Sequence, residues 1–172
     1  TVRALKYHGG KPLSDLTEED LPALKKGFAN LDRHIASLKS FNIPVVVSVN
    51  SFITDTNAEK MALIDHCEKS GITVALSNGW AEGGKGCEAL AQKVVEAAAT
   101  CNGKFSPTYD LSDPPRKKME KICKTIYGAE NVILTNKASR QLRRFEELGY
   151  GDLPVCMAKT QKSLSDDEKK LG

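Results

Sequence analysis

Residues 45–56, Val-Val-Val-Ser-Val-Asn-Ser-Phe-Ile-Thr-Asp-Thr, join a run of β-branched residues to a polar loop that holds one aromatic residue, Phe52. A continuous β-branched run without polar alternation is typical of a strand covered on both faces in a parallel sheet. Residues 45–49 therefore predict a buried strand, and Phe52 stands where the chain leaves it. The fold class that this pattern favours is α/β, with helices flanking a largely parallel sheet.

Apolar residues on both sides of this strand recur at helical spacing, so helices and strands are expected to alternate along the chain. Thr56 and Thr135 are placed to cap helices, and Gly71, Gly128 and Gly149 are placed to end them. The predicted order is strand 1–5, helix 18–41, strand 45–49, helix 56–71, strand 72–76, helix 87–100, helix 113–128, strand 131–134, helix 135–149 and strand 153–158.

Two loops that follow neighbouring predicted strands each carry an aromatic residue. Phe52 follows strand 45–49, and Trp80, the only tryptophan in the chain, follows strand 72–76. Ligands bind at the carboxyl ends of parallel strands, and right-handed crossovers would bring both loops to one edge. Two rings there would form a slot for a flat ligand ring, beside glycines at 83–86 that let backbone approach closely. Phe52 could equally plug a small satellite core, so both interpretations stay open.

Weaker patterns surround these loops. Asn50 and Asp55 have the spacing of a base-reading loop in P-loop proteins, in which a carboxylate accepts from a purine edge, but Asn and Asp are also ordinary turn residues. His8 followed by two glycines fits a tight turn or a phosphate contact. The glycine-rich loop is not a Walker A motif, because Lys85 is followed by Gly86 and not by Ser or Thr.

The composition and charge of the chain limit the classes of partner that we expect it to bind. The chain has 172 residues, of which 40% are apolar and 27% are charged, and its formal net charge is only +3. We expect no nucleic-acid partner and no membrane, because the charge is dispersed and no apolar run approaches the ~20 residues that span a bilayer. Arg116–Lys118 is interpreted as a solvated helix face. The five cysteines are widely spaced and predict buried free thiols and no metal site.

Five stretches, in order, closely resemble the central and C-terminal part of formate–tetrahydrofolate ligases, also called formyltetrahydrofolate synthetases. The resemblance covers essentially the whole chain. The stretches are TVRALKYHGG at 1–10, PVVVSVNSFITDT at 44–56, WAEGGKG at 80–86, IYGA at 126–129 and LPVCMAKTQ at 153–161.

The resemblance implies an enzyme that uses ATP with Mg²⁺ and a monovalent cation to join formate to tetrahydrofolate through formyl phosphate. It implies that Phe52 and Trp80 clamp the folate ring system, and that Asn50, Asp55 and Lys159 contact the nucleotide. Catalytic residues stay unassigned. It also implies a P-loop-NTPase-like fold, a cytoplasmic location and a homo-oligomeric parent protein.

Residues 1–172 are accordingly interpreted as a single fragment of a larger ligase, its folate-clamp portion, with the P-loop region upstream of it and no turnover by the fragment alone. One alternative is a non-catalytic α/β structural or binding module in which Phe52 and Trp80 are merely packed. A second is a stand-alone nucleotide hydrolase, against which the missing Walker A motif argues.

Overall fold

The structure is a computed structural model that describes residues 1–157, 164, 165 and 167. The described residues fall into two compact units, the first at 1–104 and the second from Phe105 onward. Both units combine helices with extended connections, and the sheet lies in the first.

The helices and strands are bounded as follows. They are α1 (Val2–His8), α2 (Leu21–Lys39), β1 (Val46–Asn50), α3 (Asn57–Lys69), β2 (Thr73–Ser77), α4 (Gly79–Glu82), α5 (Glu88–Ala99), α6 (Pro115–Thr125) and α7 (Asn136–Glu147). Short 3₁₀ turns at Leu13–Asp15 and Gly83–Cys87 complete the assignment.

The sheet consists of β1 and β2, which run parallel within the described residues. Val46 pairs with Thr73, and Asn50 pairs with Ser77. The α/β class and the parallel pairing were predicted from the β-branched runs, and the structure confirms both. Parallel strands need a crossover, and α3 supplies it.

The prediction of a first strand at 1–5 is wrong, because these residues begin helix α1. The Thr1 hydroxyl accepts a hydrogen bond from the Ala4 amide and caps the helix. Val2, Leu5 and Lys6 are buried at helical spacing. The helical period was hidden in the sequence because a lysine holds one of its buried positions.

The core of the first unit lies between α1, α2, α3 and the sheet. Its buried residues are Val2, Leu5, Leu24, Phe28, Ile35, Val49, Leu63, Cys67 and Ile72. Helix α1 approaches α2 so closely that a β-carbon on Gly27 would stand 1.9 Å from the carbonyl oxygen of Leu5. A β-carbon on Gly9 would stand 1.8 Å from the carbonyl oxygen of Ala23. Only glycine fits at these two contacts, and they fix α1 on α2.

Helix α3 begins where the Phe52 loop ends. The Thr56 hydroxyl accepts from the Glu59 amide, and the Glu59 carboxylate accepts from the Thr56 amide, which together form a capping box. Gly71, with φ of 65°, ends the helix in the left-handed conformation that favours glycine. Both ends of α3 thus follow the sequence-based prediction.

In the second unit, the predicted strands at 131–134 and 153–158 are wrong as far as the structure describes them. Residues 131–135 and 154–157 have no regular secondary structure, and Ala158 lies outside the described residues. Ile133 is 93% exposed, so its apolar neighbours alone do not make a strand. The Tyr109 hydroxyl donates to the Val155 carbonyl and accepts from the Val155 amide. Within the described residues, Val155 therefore bonds to a side chain and not to a neighbouring strand.

Lys118 corrects the interpretation of Arg116–Lys118 as a solvated helix face. Its side chain is fully buried in the second unit, and its ammonium group donates to the carbonyl oxygens of Gly151 and Leu153 at 2.8 and 3.0 Å. Arg116 and Lys117 remain exposed, as expected. No helix of the described residues is both long enough and apolar enough to span a bilayer.

Candidate functional site

The carboxyl ends of β1 and β2 lie side by side and release the two aromatic loops at the same edge of the sheet. The pairing continues one residue beyond β1, because the Ser51 amide donates to the carbonyl of Ser77, the last residue of β2, at 3.0 Å. Phe52 is the next residue on one side, and Trp80 follows Ser77 by three residues on the other. The two loops are therefore brought to one edge, as their sequence positions predict.

The Phe52 loop is a tight turn closed by Asp55. The Phe52 amide donates to Oδ2 of Asp55 at 2.8 Å, and the Asp55 amide donates to the Phe52 carbonyl at 3.0 Å. Asp55 is 6% exposed, and its Oδ1 has no hydrogen-bond partner among the described residues. One oxygen of the predicted nucleotide contact is thus engaged in shaping the turn that carries Phe52.

The Phe52 ring is half-buried, and a cation lies over it. The guanidinium carbon of Arg3 stands 4.2 Å from the ring centroid, within the range of a cation–π contact. Helix α1 supplies Arg3, so the ring is held from outside its own loop. Among the described aromatic pairs, no ring contact joins Phe52 to Trp80.

Trp80 is presented by a compact loop. It lies in α4, and its side chain is 68% exposed. The Asn78 amide donates to the Gly86 carbonyl at 2.9 Å and closes the loop at its base. A β-carbon on Gly86 would stand 2.6 Å from the Asn78 carbonyl oxygen, so this glycine serves the loop's own packing. Gly84 faces open space, where backbone can approach a ligand.

The remaining predicted site residues lie in different settings. Asn50 ends β1 with an exposed side chain, at the edge where the aromatic loops emerge. Lys159 lies outside the described residues.

A buried ion pair joins α1 to the first turn of α3, the helix that follows the Phe52 loop. The Lys6 ammonium group lies 2.8 Å from Oε1 of Glu59, and both side chains are fully buried. Glu59 also accepts the Asp20 amide at 2.9 Å, and Lys6 donates to the Glu18 carbonyl at 2.7 Å. Burial by itself raises the pKa of Glu59. The hydrogen bonds from Lys6 and the backbone amides outweigh it and hold that pKa below its ordinary value.

A separate cavity of about 200 Å³ lies between α1, α2 and β1. Its lining includes His8, Asn30, His34 and Ser48. Nδ1 of His8 is buried there without a partner among the described residues. Burial, followed by the nearby His34, lowers the pKa of His8 and favours the neutral imidazole. Gly9 and Gly10 make the tight turn after it.

Comparison with known proteins identifies the family. A sequence model of formate–tetrahydrofolate ligase matches residues 1–172. The chain belongs to the formate–tetrahydrofolate ligase family.

Curated relatives agree with the family assignment. Formate–tetrahydrofolate ligases of Limosilactobacillus reuteri and Bacillus licheniformis are 50% and 49% identical to the chain, and that of Limosilactobacillus fermentum is 45% identical. Each comparison covers 100% of this chain and 31% of the relative's length. The resemblance seen in the five sequence stretches is confirmed.

Two elements of the site were missed by the sequence analysis. The sequence pattern predicts a strand at Arg3, and it does not pair Lys6 with Glu59. Thr56 followed three residues later by Glu59 is a capping-box signature that marks this carboxylate as an anchored residue. No comparable local signal points to Arg3, because its partner Phe52 lies far away in the sequence.

Proposed function

We propose that this chain is the folate-binding portion of an ATP-dependent ligase that joins formate to tetrahydrofolate and gives formyltetrahydrofolate. The family match over all 172 residues carries the proposal. The parallel pairing of β1 with β2 supports it, because this pairing releases the Phe52 and Trp80 loops at one sheet edge. In this proposal the two rings take opposite faces of the folate ring system.

The side chains fit a flat, partly polar ring. Trp80 is largely exposed and Phe52 is half-buried, so both offer aromatic surface at the edge. Stacking on such a side chain contributes about 1–3 kcal/mol per ring, the range found for nucleobases. Two walls would fix the orientation of the folate amine as well as its affinity.

The reaction benefits from such a clamp. Formate is first phosphorylated by ATP with Mg²⁺, with a monovalent cation as a further requirement, and the product is formyl phosphate. The bridging amine of tetrahydrofolate then attacks the formyl carbon. The nitrogen–carbon bond forms, the carbon–oxygen bond to phosphate breaks so that phosphate leaves, and the nitrogen loses its proton. Formyl phosphate is a labile mixed anhydride, so holding the amine against it and excluding water both favour transfer over hydrolysis.

Asn50, Asp55 and Lys159 are proposed as nucleotide contacts. Asn50 is exposed at the edge where the two aromatic loops emerge. Asp55 closes the turn beside it, and the carboxylate oxygen that lacks a partner among the described residues is buried, so a nucleotide contact there requires this turn to open. The proposal extends to a P-loop-NTPase-like fold in the parent protein, to a cytoplasmic location and to assembly as a homo-oligomer.

Isothermal titration of the 172-residue chain with tetrahydrofolate, under anaerobic reducing conditions, tests the proposal. Phe52→Ala and Trp80→Ala should each raise the dissociation constant by about 5- to 150-fold, the equivalent of about 1–3 kcal/mol. Phe145→Ala is the matched control, because it removes a half-exposed ring from α7 in the second unit. Absence of binding by the unaltered chain, or equal weakening by all three variants, would refute the assignment.

A further inference from the structure

Helix α1 carries two cationic side chains, Arg3 and Lys6, that contact opposite ends of the segment 52–59. The guanidinium group of Arg3 lies over the Phe52 ring at 4.2 Å, and the ammonium group of Lys6 lies 2.8 Å from Glu59. Arg3 and Lys6 are three residues apart in one helix, so their side chains share a face. The same face of α1 therefore contacts both the aromatic loop and the capping box that follows it.

Helix α1 is a rigid support for these contacts. Its close approaches to α2 at Gly9 and Gly27 leave no room for a β-carbon at either position. The Lys6–Glu59 pair, fully buried, joins it to α3 as well. Arg3 thus projects from a helix that is fixed at two further points.

The backbone of the aromatic loop is also fixed, but by other groups. Reciprocal hydrogen bonds between Phe52 and Asp55 close the turn, and the Ser51 amide ties it to Ser77. None of these bonds constrains the side-chain torsions of Phe52. The cation–π contact with Arg3 acts on the ring itself, and within the described residues Arg3 forms no ion pair that would draw its charge elsewhere.

We propose that Arg3 is a positioning residue of the folate site, which holds one face of the Phe52 ring and thereby presents the opposite face to the ligand. The inference rests on the proposed function, because it gives Phe52 a ligand. A planar guanidinium group stacks on an aromatic face better than an ammonium group does. Holding the ring before the ligand arrives removes part of the cost of ordering it upon binding.

The expected effect is moderate and specific. Arg3→Ala should raise the dissociation constant of the chain for tetrahydrofolate about two- to tenfold, the range that follows from immobilising one side chain. Arg3→Met keeps the length of the side chain without its charge and should weaken binding similarly. Arg3→Lys keeps the charge without the planar group and should recover part of the affinity. Arg116→Ala removes an exposed arginine of α6 and should leave binding unchanged.

A double-mutant cycle with Phe52 distinguishes positioning from general support of the fold. If Arg3 acts through the Phe52 ring, Arg3→Ala should have no further effect on the affinity in the Phe52→Ala background. Circular dichroism and thermal unfolding of each variant show whether α1 stays folded. Titration calorimetry of all variants with tetrahydrofolate gives the four affinities of the cycle.

Four results would overturn the inference or the proposed function on which it rests. An unchanged affinity in Arg3→Ala refutes it, and so does equal weakening in the presence and absence of the Phe52 ring. Failure of Arg3→Lys to recover any affinity, with Arg3→Met binding like the unaltered chain, shows that the charge plays no part. Absence of tetrahydrofolate binding by the unaltered chain refutes the proposed function itself, and the role of Arg3 with it.

Discussion

Replacement of Lys6 by methionine should destabilise the first unit strongly, because it leaves the buried Glu59 carboxylate without its cation. Both side chains are 0% exposed, and the two charged atoms are 2.8 Å apart. Removing one partner of a buried pair typically costs about 3–5 kcal/mol, because the other charge stays desolvated. The Glu18 carbonyl also loses its donor, which adds about 1 kcal/mol. The Asp20 and Thr56 amides still bond to Glu59 and keep the total loss within this range.

Urea unfolding followed by far-ultraviolet circular dichroism measures this loss. Lys69→Met is the matched control, since it removes a lysine that pairs with Asp65 at the surface. Exposed pairs contribute little, so the control should stay within about 0.5 kcal/mol of the unaltered chain. Adding Glu59→Gln to Lys6→Met removes the stranded charge and should restore part of the stability. The reasoning is refuted if Lys6→Met costs no more free energy than Lys69→Met.

Three further predictions concern the anchors of the fold. The pKa of Glu59 is lowered in the folded chain, so its contribution to stability should be complete above about pH 4.3 and be lost as the pH falls through the lowered pKa. The free energy of unfolding that Lys6→Met loses should therefore be smaller in acid than at neutral pH. Urea titrations across pH 3–7 measure both. Gly27→Ala should shift α1 away from α2 and lower the free energy of unfolding by about 1–3 kcal/mol, because the new β-carbon would lie 1.9 Å from the Leu5 carbonyl oxygen. Urea unfolding measures this loss, and Gly84→Ala is the control, since Gly84 faces open space. A loss below about 0.5 kcal/mol would contradict the close packing of α1 on α2. Lys118→Met should raise the rate of amide hydrogen exchange in residues 151–153, because the Gly151 and Leu153 carbonyls lose their donor. Lys117→Met, which removes an exposed lysine, is the control. Equal exchange rates in the two variants would show that Lys118 does not hold this segment.

The parts of the fold that depend on local pattern could be predicted from the sequence. The run Val45–Val49 predicts a parallel strand, which the structure places at Val46–Asn50. The expected burial on both faces is wrong, because Ser48 is exposed. Thr56 and Thr135 cap helices as expected, and Gly71 and Gly149 follow the helix ends with positive φ. Each of these signals acts within a few residues. These elements could therefore be predicted from local sequence signals alone, without knowledge of tertiary contacts.

The errors occur where a distant contact outweighs the local pattern. Residues 1–5 looked like a strand because Lys6 interrupted their apolar period, and only the carboxylate of Glu59, far along the chain, makes that lysine a buried residue. Lys118 was assigned to a solvated face for the same reason, since its partners are the carbonyls at 151 and 153. A charged side chain in a core can be recognised only when its partner is known.

The candidate site divides in the same way. Phe52 and Trp80 were singled out from the sequence because aromatic residues in polar loops after adjacent strands are conspicuous, and the structure releases both loops at one edge. Asp55 is predicted as a nucleotide contact, and its carboxylate also closes the turn that carries Phe52. Arg3 could not be found from sequence, because nothing near it indicates which ring it covers.

Nuclear magnetic resonance tests the central claim, a folate ring held between two aromatic walls, most directly. Trp80 is the only tryptophan, so the chain has a single indole signal to follow. With tetrahydrofolate bound, the account predicts nuclear Overhauser contacts from the ligand's ring protons to both the Trp80 indole and the Phe52 ring. Contacts to one ring alone, or to neither while the ligand is bound, would contradict it.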